Sequence, residues 1–505
     1  VTVRTLPAAA IAALTVAASL AVVPTARGDG EGDRPAGGGR RGAGARGGAA
    51  EEGRGGPQGF FRTEVPDHDA DVIVGRPTRN SVVLSARLLA DGEACVEWAR
   101  SGAGGATRRT DVRKLAAGTP SEFVLADLAP DTAYTACVLR RAAATAEWIA
   151  GDAVSFHTQR PPGAPFTFTV QADSHLDQNT QPALYDKTLS NVASDAPDFH
   201  VDLGDTFMTD KRRDDFRAAL PQYVAQRWYL GLPRVPLFLV LGNHDGETGW
   251  RDRGSAEDVP HWSNAQRNRY FPNPEPDGFY SGNATRDPVN GALRNWYGWE
   301  WGDAQFLVLD PFWSTRDRKG RDADGWTWTL GTEQFRWLEK SLATSRAKVR
   351  FVMIHHLVGG LDSEARGGSE AARLYEWGGR SAARRGEFAA RRPGWSAPVH
   401  ELLRRAGPTV VLHGHDHFFA RQELDGVVYQ MVPQPGHPGG DAKRMAAEYG
   451  YVAGDFLSSP GHVRVHVGPD GAAVEYVRSS LVDPKANGAV ASSYRVSATG
   501  PSAPR

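Results

Sequence analysis

The chain is short of cysteine, of net charge and of long apolar runs. Only Cys95 and Cys137 occur in 505 residues, so no thiolate is available to a metal anywhere after residue 137. Fifty-eight basic residues against 59 acidic ones leave a formal charge of −1, which argues against broad attraction to nucleic acid, and no nucleic-acid partner is expected. The one long apolar run lies before residue 24, is broken by Pro7 and Pro24, and is short for a membrane span. With Arg4 ahead of it and Ala26-Arg27-Gly28 behind it, residues 1–28 read as a secretory signal peptide, an N-terminal anchor being the alternative. No later segment is apolar enough to cross a bilayer, so no span is expected in the mature protein. Residues 29–64 are rich in Gly and Arg, lack an aromatic before Phe60, and read as a disordered linker.

What is present is enough for at least two domains. Residues 65–160 carry short alternating runs such as ACVEWAR (94–100) and AYTACVLR (133–140), the pattern of an all-β sandwich. Residues 159–165, QRPPGAP, read as a linker. From there to residue 482, strands alternate with helices in an α/β pattern, and residues 483–505 read as a loose tail. The run PLFLVLGNHD, Pro236 to Asp245, is the clearest strand: apolar on both faces, then ending in an amide, two acid–base groups and a glycine. Polar groups delivered at the C-terminal end of such a strand stand where α/β sheets bind ligands.

Four other strands end the same way. Together the five supply Asp173 and His175 (ADSH), Asp205 (LGD), Asn243 and His244 (GNHD), His355 or His356 (MIHH), and His415 and His417 (GHDH). Carboxylate, imidazole and amide donors together suit Zn, Mn, Fe or Co. His200 and Asp202, on the strand leading to Asp205, read as structural. Trp296, Trp299, Trp301, Trp326, Trp328 and Trp337 read as packing residues, and Arg366 and Arg380, in a long insertion after MIHH, as alternatives between phosphate binding and solvated surface.

The motif order D-x-H, G-D, G-N-H-D, H, G-H-x-H resembles that of the calcineurin-like metallophosphoesterases, over roughly residues 166–480. The resemblance implies a two-sheet β-sandwich flanked by helices. It also implies one metal on Asp173, His175, Asp205 and His417, a second on Asp205, Asn243, His355 and His415, and Asp205 as the bridge. Either ion could be di- or trivalent. The function implied is a secreted, periplasmic or cell-surface phosphoesterase hydrolysing phosphate monoesters or diesters by a metal-bridging hydroxide. His244 contacts the phosphate, with Asn243, and acts as general acid. The alternatives are a non-catalytic surface binding protein with a degenerate phosphoesterase domain, or a purple acid phosphatase. Against the latter, Met208 stands where purple enzymes have their coloured Tyr ligand, and His175 stands where they lack a histidine. Calcineurin carries an Asp at the Met208 position to pair with its catalytic His; here only Asp245 offers itself locally. The motif does not fix substrate, metal identity or oligomeric state.

The run Leu128-Ala129-Pro130-Asp131-Thr132-Ala133-Tyr134 resembles the tyrosine corner of fibronectin type III domains, such as precede the catalytic domain of purple acid phosphatase-like proteins. In that fold the strands of Cys95 and Cys137 are neighbours. With Val96, Trp98 and Tyr134 turned inward, both cysteines point outward, and the expectation is a Cys95–Cys137 disulfide on the outer face, two free thiols being the alternative.

Overall fold

The structure is a computed structural model that describes residues 61–102, 106–212, 215–318, 324–362 and 364–498. The expected signal peptide and most of the expected linker lie outside the described residues. Eight strands come first: β1 (Ala70–Gly75), β2 (Val82–Leu88), β3 (Gly92–Arg100), β4 (Arg108–Arg109), β5 (Arg113–Leu115), β6 (Ser121–Leu125), β7 (Ala133–Arg141) and β8 (Ile149–His157). They form one sheet in the order β1-β2-β6 and a second in the order β4-β3-β7-β8, with β5 also on β3. The alternation read from the sequence holds: Val96, Trp98, Tyr134, Ala136 and Val138 fill the core between the sheets. The Tyr134 hydroxyl accepts the Ala129 N–H at 2.8 Å, which closes the corner before β7.

The expected disulfide is not formed, and both cysteines are free thiols. Both stand on the face of the β3–β7 pair turned away from the sandwich core. The register, however, sets Cys95 opposite Leu139 and Cys137 opposite Glu97. The thiols are diagonal rather than facing, a separation that reaches the limit of what a disulfide spans.

After residues 158–165 come β9 (Phe166–Gln171), α1 (Pro182–Ser194), β10 (Phe199–Asp202), α2 (Leu220–Gly231) and β11 (Leu237–Leu239). A long excursion holds α3 (Val259–Tyr270), β12 (Ser281–Gly282), β13 (Arg286–Asp287) and β14 (Gly291–Ala292). Then follow β15 (Tyr297–Trp301), β16 (Ala304–Val308), α4 (Gly331–Thr344), β17 (Val349–Met353), α5 (Tyr375–Gly378), α6 (Phe388–Arg391), α7 (Val399–Ala406) and β18 (Thr409–His413). The last elements are β19 (Phe419–Leu424), β20 (Val427–Met431), α8 (Ala442–Glu448), β21 (Asp455–Leu457), β22 (Gly461–Gly468), β23 (Gly471–Arg478) and β24 (Val490–Ser497).

Two large mixed sheets result, in the orders β11-β10-β9-β22-β23-β24 and β12-β15-β16-β17-β18-β20-β19-β21. Their inner faces meet through aromatic rings, Phe168 standing edge-on to Phe306 and Phe351 at 5.1 and 4.9 Å. Outside the second sheet, α4 and α7 cover Leu307, Val352 and Val411 with Phe335, Leu338 and Leu403. Strands β9, β10 and β11 run parallel, as do β17 and β18, so five strand C-termini open on one end of the two sheets.

Ahead of α2, Met208 turns left-handed (φ 48°) and short 3-10 turns intervene, so the helix starts at Leu220. Two expectations are corrected. The regular strand expected through Gly242 spans only Leu237–Leu239, with Val240 adding one further bond to the Asp202 carbonyl. The tail is not loose over Val490–Ser497: β24 pairs with β23 along its length, and Tyr494 and Val496 pack against the inter-sheet core. Its small polar residues concealed a strand that buries one side only.

The sandwich is bonded to the rest by α2. Arg227, fully buried on that helix, donates to Asp71 of β1, to the Ser85 carbonyl and hydroxyl of β2, and to the Tyr270 carbonyl. Asp71 also accepts from Arg87 at 2.8 Å, and Val74 bridges in parallel to Pro236, covering the open edge of β11.

Candidate metal centre

The motif glycines are where the strand-end loops touch. A side chain on Gly204 would strike the Gly242 backbone; one on Gly242 would strike the Asp205 backbone and carboxylate; one on Gly414 would lie 2.7 Å from Asp173 Oδ2. Only with hydrogen at these three positions can the loops after β9, β10, β11 and β18 converge. The residues they present are held in left-handed backbone: Asp173 (φ 58°), His175 (47°), Asp205 (55°), His415 (79°) and His417 (68°). Non-glycine residues rarely adopt this conformation, which costs about 1–3 kcal/mol each and gathers at functional sites.

The loops bring the expected residues into two adjoining groups whose ligand atoms lie within 4.8 Å of one another: Asp173, His175 and His417, and Asp205, His355 and His415. Asp173 Oδ1 is 3.7 Å from His175 Nε2, 3.8 Å from His355 Nε2 and 3.6 Å from His417 Nε2. Asp205 Oδ2 stands 3.2 Å from His355 Nε2 and 3.8 Å from His175 Nε2, so it touches both groups. His355 is the member of the MIHH pair that enters. His356 turns its Nδ1 to the Leu357 carbonyl and packs edge-on between Phe312 and Trp328.

The donor atoms are aimed by their neighbours. His355 Nδ1 donates to the Leu203 carbonyl at 2.9 Å, which turns Nε2 toward the carboxylates; against burial, the charges of Asp205 and Asp173 push this ring up to about 9. His415 does the reverse, giving Nε2 to the Glu364 carbonyl at 2.7 Å and leaving Nδ1 inward. Burial pushes His417 down to about 3 and His415 well below the ordinary imidazole value, so both are neutral donors. Burial opposes ionisation of Asp205, but His355 and His244 beside it hold its carboxyl well below the usual range. The Nε2 atoms of His175 and His355 and Oδ1 of Asn243 are buried with no hydrogen-bond partner. Buried polar atoms are ordinarily satisfied, and orphans of this chemistry, grouped with ionised carboxylates, fit a cation.

His244 stands beside the group rather than in it. Its backbone N–H donates to Asp205 Oδ1 at 2.8 Å, and its ring Nε2 is 3.9 Å from Asp205 Oδ2. Its partner was not legible in the sequence. Asp210, on the loop that Met208 turns, accepts from His244 Nδ1 at 3.0 Å through both carboxylate oxygens. Asp245, the local candidate, instead accepts from the backbone N–H groups of Gly242, Asp205, Thr206 and Phe207 and ties the two loops together. Burial and the Asp205 charge push its carboxyl up to about 7.

A second unforeseen layer comes from α2. Gln222 donates to the His175 carbonyl, and Gln226 donates to Ser174 Oγ and the Thr206 carbonyl, each at 2.9 Å. Asp177 lies 3.4 Å from His175 Nδ1. Of the two arginines considered for phosphate, Arg366 is engaged: it donates to Asp416 at 2.8 Å and to the His415 carbonyl at 3.2 Å, bracing the GHDH turn. Arg380 is exposed on a backbone bridge to Leu374 and Gly386. His200, donating to or accepting from Thr169 at 2.8 Å, and Asp202, accepting from Gln171, Gly204 and Thr206, are both buried below the site.

The family model of the calcineurin-like phosphoesterases matches residues 166–419, just over half of the chain and all five strand ends. The chain belongs to this family. Among solved structures, that of PhoD is similar over 86% of this chain and 92% of its own, with a TM-score of 0.61 and 16% identity, a likeness of fold. GAP50, the anchor in the inner membrane complex of Plasmodium, aligns over 66% of this chain and 89% of its own with a TM-score of 0.38 and 14% identity. No curated protein sequence matches the chain. Among the described residues no helix is long and apolar enough to cross a membrane.

Proposed function

We propose that the protein is a secreted binuclear-metal phosphoesterase that hydrolyses phosphate monoesters or diesters. One ion is held by Asp173, His175, Asp205 and His417, the other by Asp205, Asn243, His355 and His415. The observation that carries this reading is the pair of adjoining Asp/His groups with orphaned, buried imidazole nitrogens. Two bound cations supply charge neutralisation at the phosphoryl group and a more acidic water.

The chain's own residues do the rest. Asp205 stands between the groups and holds charges together that would otherwise repel. His244, protonated, donates its Nδ1 proton's hydrogen bond to Asp210 and offers the Nε2 proton to the departing oxygen. Asp210 both fixes the ring and stabilises the imidazolium. Met208, buried at the position of the purple enzymes' Tyr, favours a colourless protein. The topology and tyrosine corner of the sandwich support a fibronectin type III-like domain.

The test is metal analysis with hydrolysis of para-nitrophenyl phosphate and its bis-ester, supplying Mn, Zn, Fe and Co in turn. About two ions per chain and metal-dependent release are expected. Fewer than one ion after reconstitution, or no release with any metal, returns the reading to the non-catalytic alternative; a visible charge-transfer band returns it to the purple one.

A further inference from the structure

The GHDH turn feeds both metal groups. His417 belongs with Asp173 and His175, and His415 with Asp205 and His355. Both histidines are held in left-handed backbone, φ 79° at His415 and 68° at His417. Neighbouring residues keep such a shape only where the surroundings over-determine it. The residue between them is Asp416, which is buried and belongs to neither group.

Both oxygens of Asp416 are taken by other parts of the chain. Oδ1 accepts from Arg366 at 2.8 Å, and Oδ2 accepts from the Gly367 N–H at 3.1 Å and from the Tyr451 hydroxyl at 2.8 Å. Arg366 also donates to the His415 carbonyl at 3.2 Å and lies over the Tyr449 ring, 4.4 Å from its centre. These donors come from separate excursions. Arg366 and Gly367 lie in the insertion after β17, which also supplies the Glu364 carbonyl that accepts from His415 Nε2. Tyr451 lies in the loop after α8, and its ring packs 5.3 Å from Phe418, the residue after His417, and 5.9 Å from Phe456. Glu370 fastens the excursions to each other, accepting from the Val452 N–H at 2.9 Å and from Gln422 of β19 at 2.8 Å. The shape of the ligand turn is therefore set by the insertion and the α8 loop, which meet on its central carboxylate.

We propose that Arg366, Asp416 and Tyr451 are positioning residues, a clamp that holds His415 and His417 ready for both cations together. The proposal rests on the reading of the adjoining groups as a binuclear centre. A site that is ordered only part of the time binds its ion more weakly, in proportion to the ordered fraction. With the clamp intact, neither ion bears that cost. With the clamp weakened, the first ion to arrive bears it. The second then finds the turn already in place, because His415 and His417 share it. Loosening Asp416 therefore couples the two sites through the turn, although Asp416 touches neither ion.

The test titrates Mn²⁺, and in parallel Zn²⁺, into the metal-free full chain by calorimetry, with thermal unfolding of the same metal-free samples. The unaltered chain should take up about two ions. Asp416→Asn should weaken the first ion about tenfold and the second by less, so the titration steepens. Tyr451→Phe keeps the ring contacts and removes only the hydroxyl; it should shift the first ion in the same direction by about threefold. If Asp416→Asn fails to fold, Tyr451→Phe carries the comparison alone. Unchanged affinities in the folded variants overturn the proposal, and a lowered thermal midpoint with both affinities intact would mark Asp416 as purely structural. A flatter, two-step titration, in which one ion alone is lost, overturns it as well, since the clamp would then serve a single group. An unaltered chain that takes up neither metal loses the clamp and the binuclear reading together. A chain that shows the steepening and hydrolyses no ester keeps the clamp and loses the catalytic reading.

Discussion

Asp210→Ala is the sharpest probe of the centre, because it touches no residue of either metal group. It removes the carboxylate that meets His244 Nδ1 at 3.0 Å. A hydrogen bond to a charged group contributes about 1.5–3 kcal/mol. With the two side chains 22% and 21% exposed, the lower end applies, about 1.5–2 kcal/mol. That energy holds the His244 ring in the one orientation from which Nε2 reaches the departing oxygen. It therefore appears as a rate loss of about 10–30-fold, smaller than the roughly 10²–10⁴-fold expected for His244→Ala. The assay is kcat on a series of aryl phosphates whose phenols differ in acidity, with bound metal measured on the same samples. The loss should concentrate in poor leaving groups, which need the proton most. In the His244→Ala background Asp210→Ala should cost nothing more, since the two act as one unit. Loss of metal from Asp210→Ala, equal slowing of all leaving groups, or additive losses in the double variant would refute the assignment of the pair.

Three further outcomes are expected. Gly242→Ala drives a methyl into the Asp205 backbone and carboxylate, so both metal groups should be disturbed and metal stoichiometry should fall while the fold persists. Arg227→Met leaves Asp71 buried with Arg87 as its remaining guanidinium, and denaturant unfolding should show a loss of about 3 kcal/mol; a change under about 1 kcal/mol would contradict the interface described. Burial, with His462 nearby, pushes His200 down to about 3 from 6.5, so the unfolded chain binds its proton first as pH falls. The stability His200 permits is complete above about pH 6.5 and declines as pH falls from there toward 3, and His200→Gln should flatten that part of the stability–pH curve.

The sequence carried the centre further than its supports. Asp173, His175, Asp205, His355, His415 and His417 were legible because each follows an apolar strand whose direction fixes where its end goes, and the sheets bring those ends together. The choice of His355 over His356 also followed from its place nearer the strand end. Asp210 was hidden because the left-handed turn at Met208 carries the chain back to His244, and nothing in Met-Thr-Asp announces that turn. Gln222, Gln226 and Arg227 were hidden for a different reason. Polar residues on a helix read as a solvated face, and here that face lies against the metal loops and the sandwich. The cysteines show the limit of parity. It put both on one face of neighbouring strands, but alternation carries no information about register, and the rung-to-rung offset decides whether sulfurs can meet.

The placement of Arg227 has one more consequence. Within a single turn and a half, α2 binds the ligand loops through Gln222 and Gln226 and the sandwich through Arg227. The sandwich is therefore tied to the same helix that braces the candidate metal loops. Heat, a protease or a gene truncation that loosened β1 and β2 would loosen from behind the loops that carry the candidate ligands, with every one of those residues intact. A catalytic fragment cut at the linker after β8 would carry the complete motif and a fully charged Arg227 facing water where Asp71 had been.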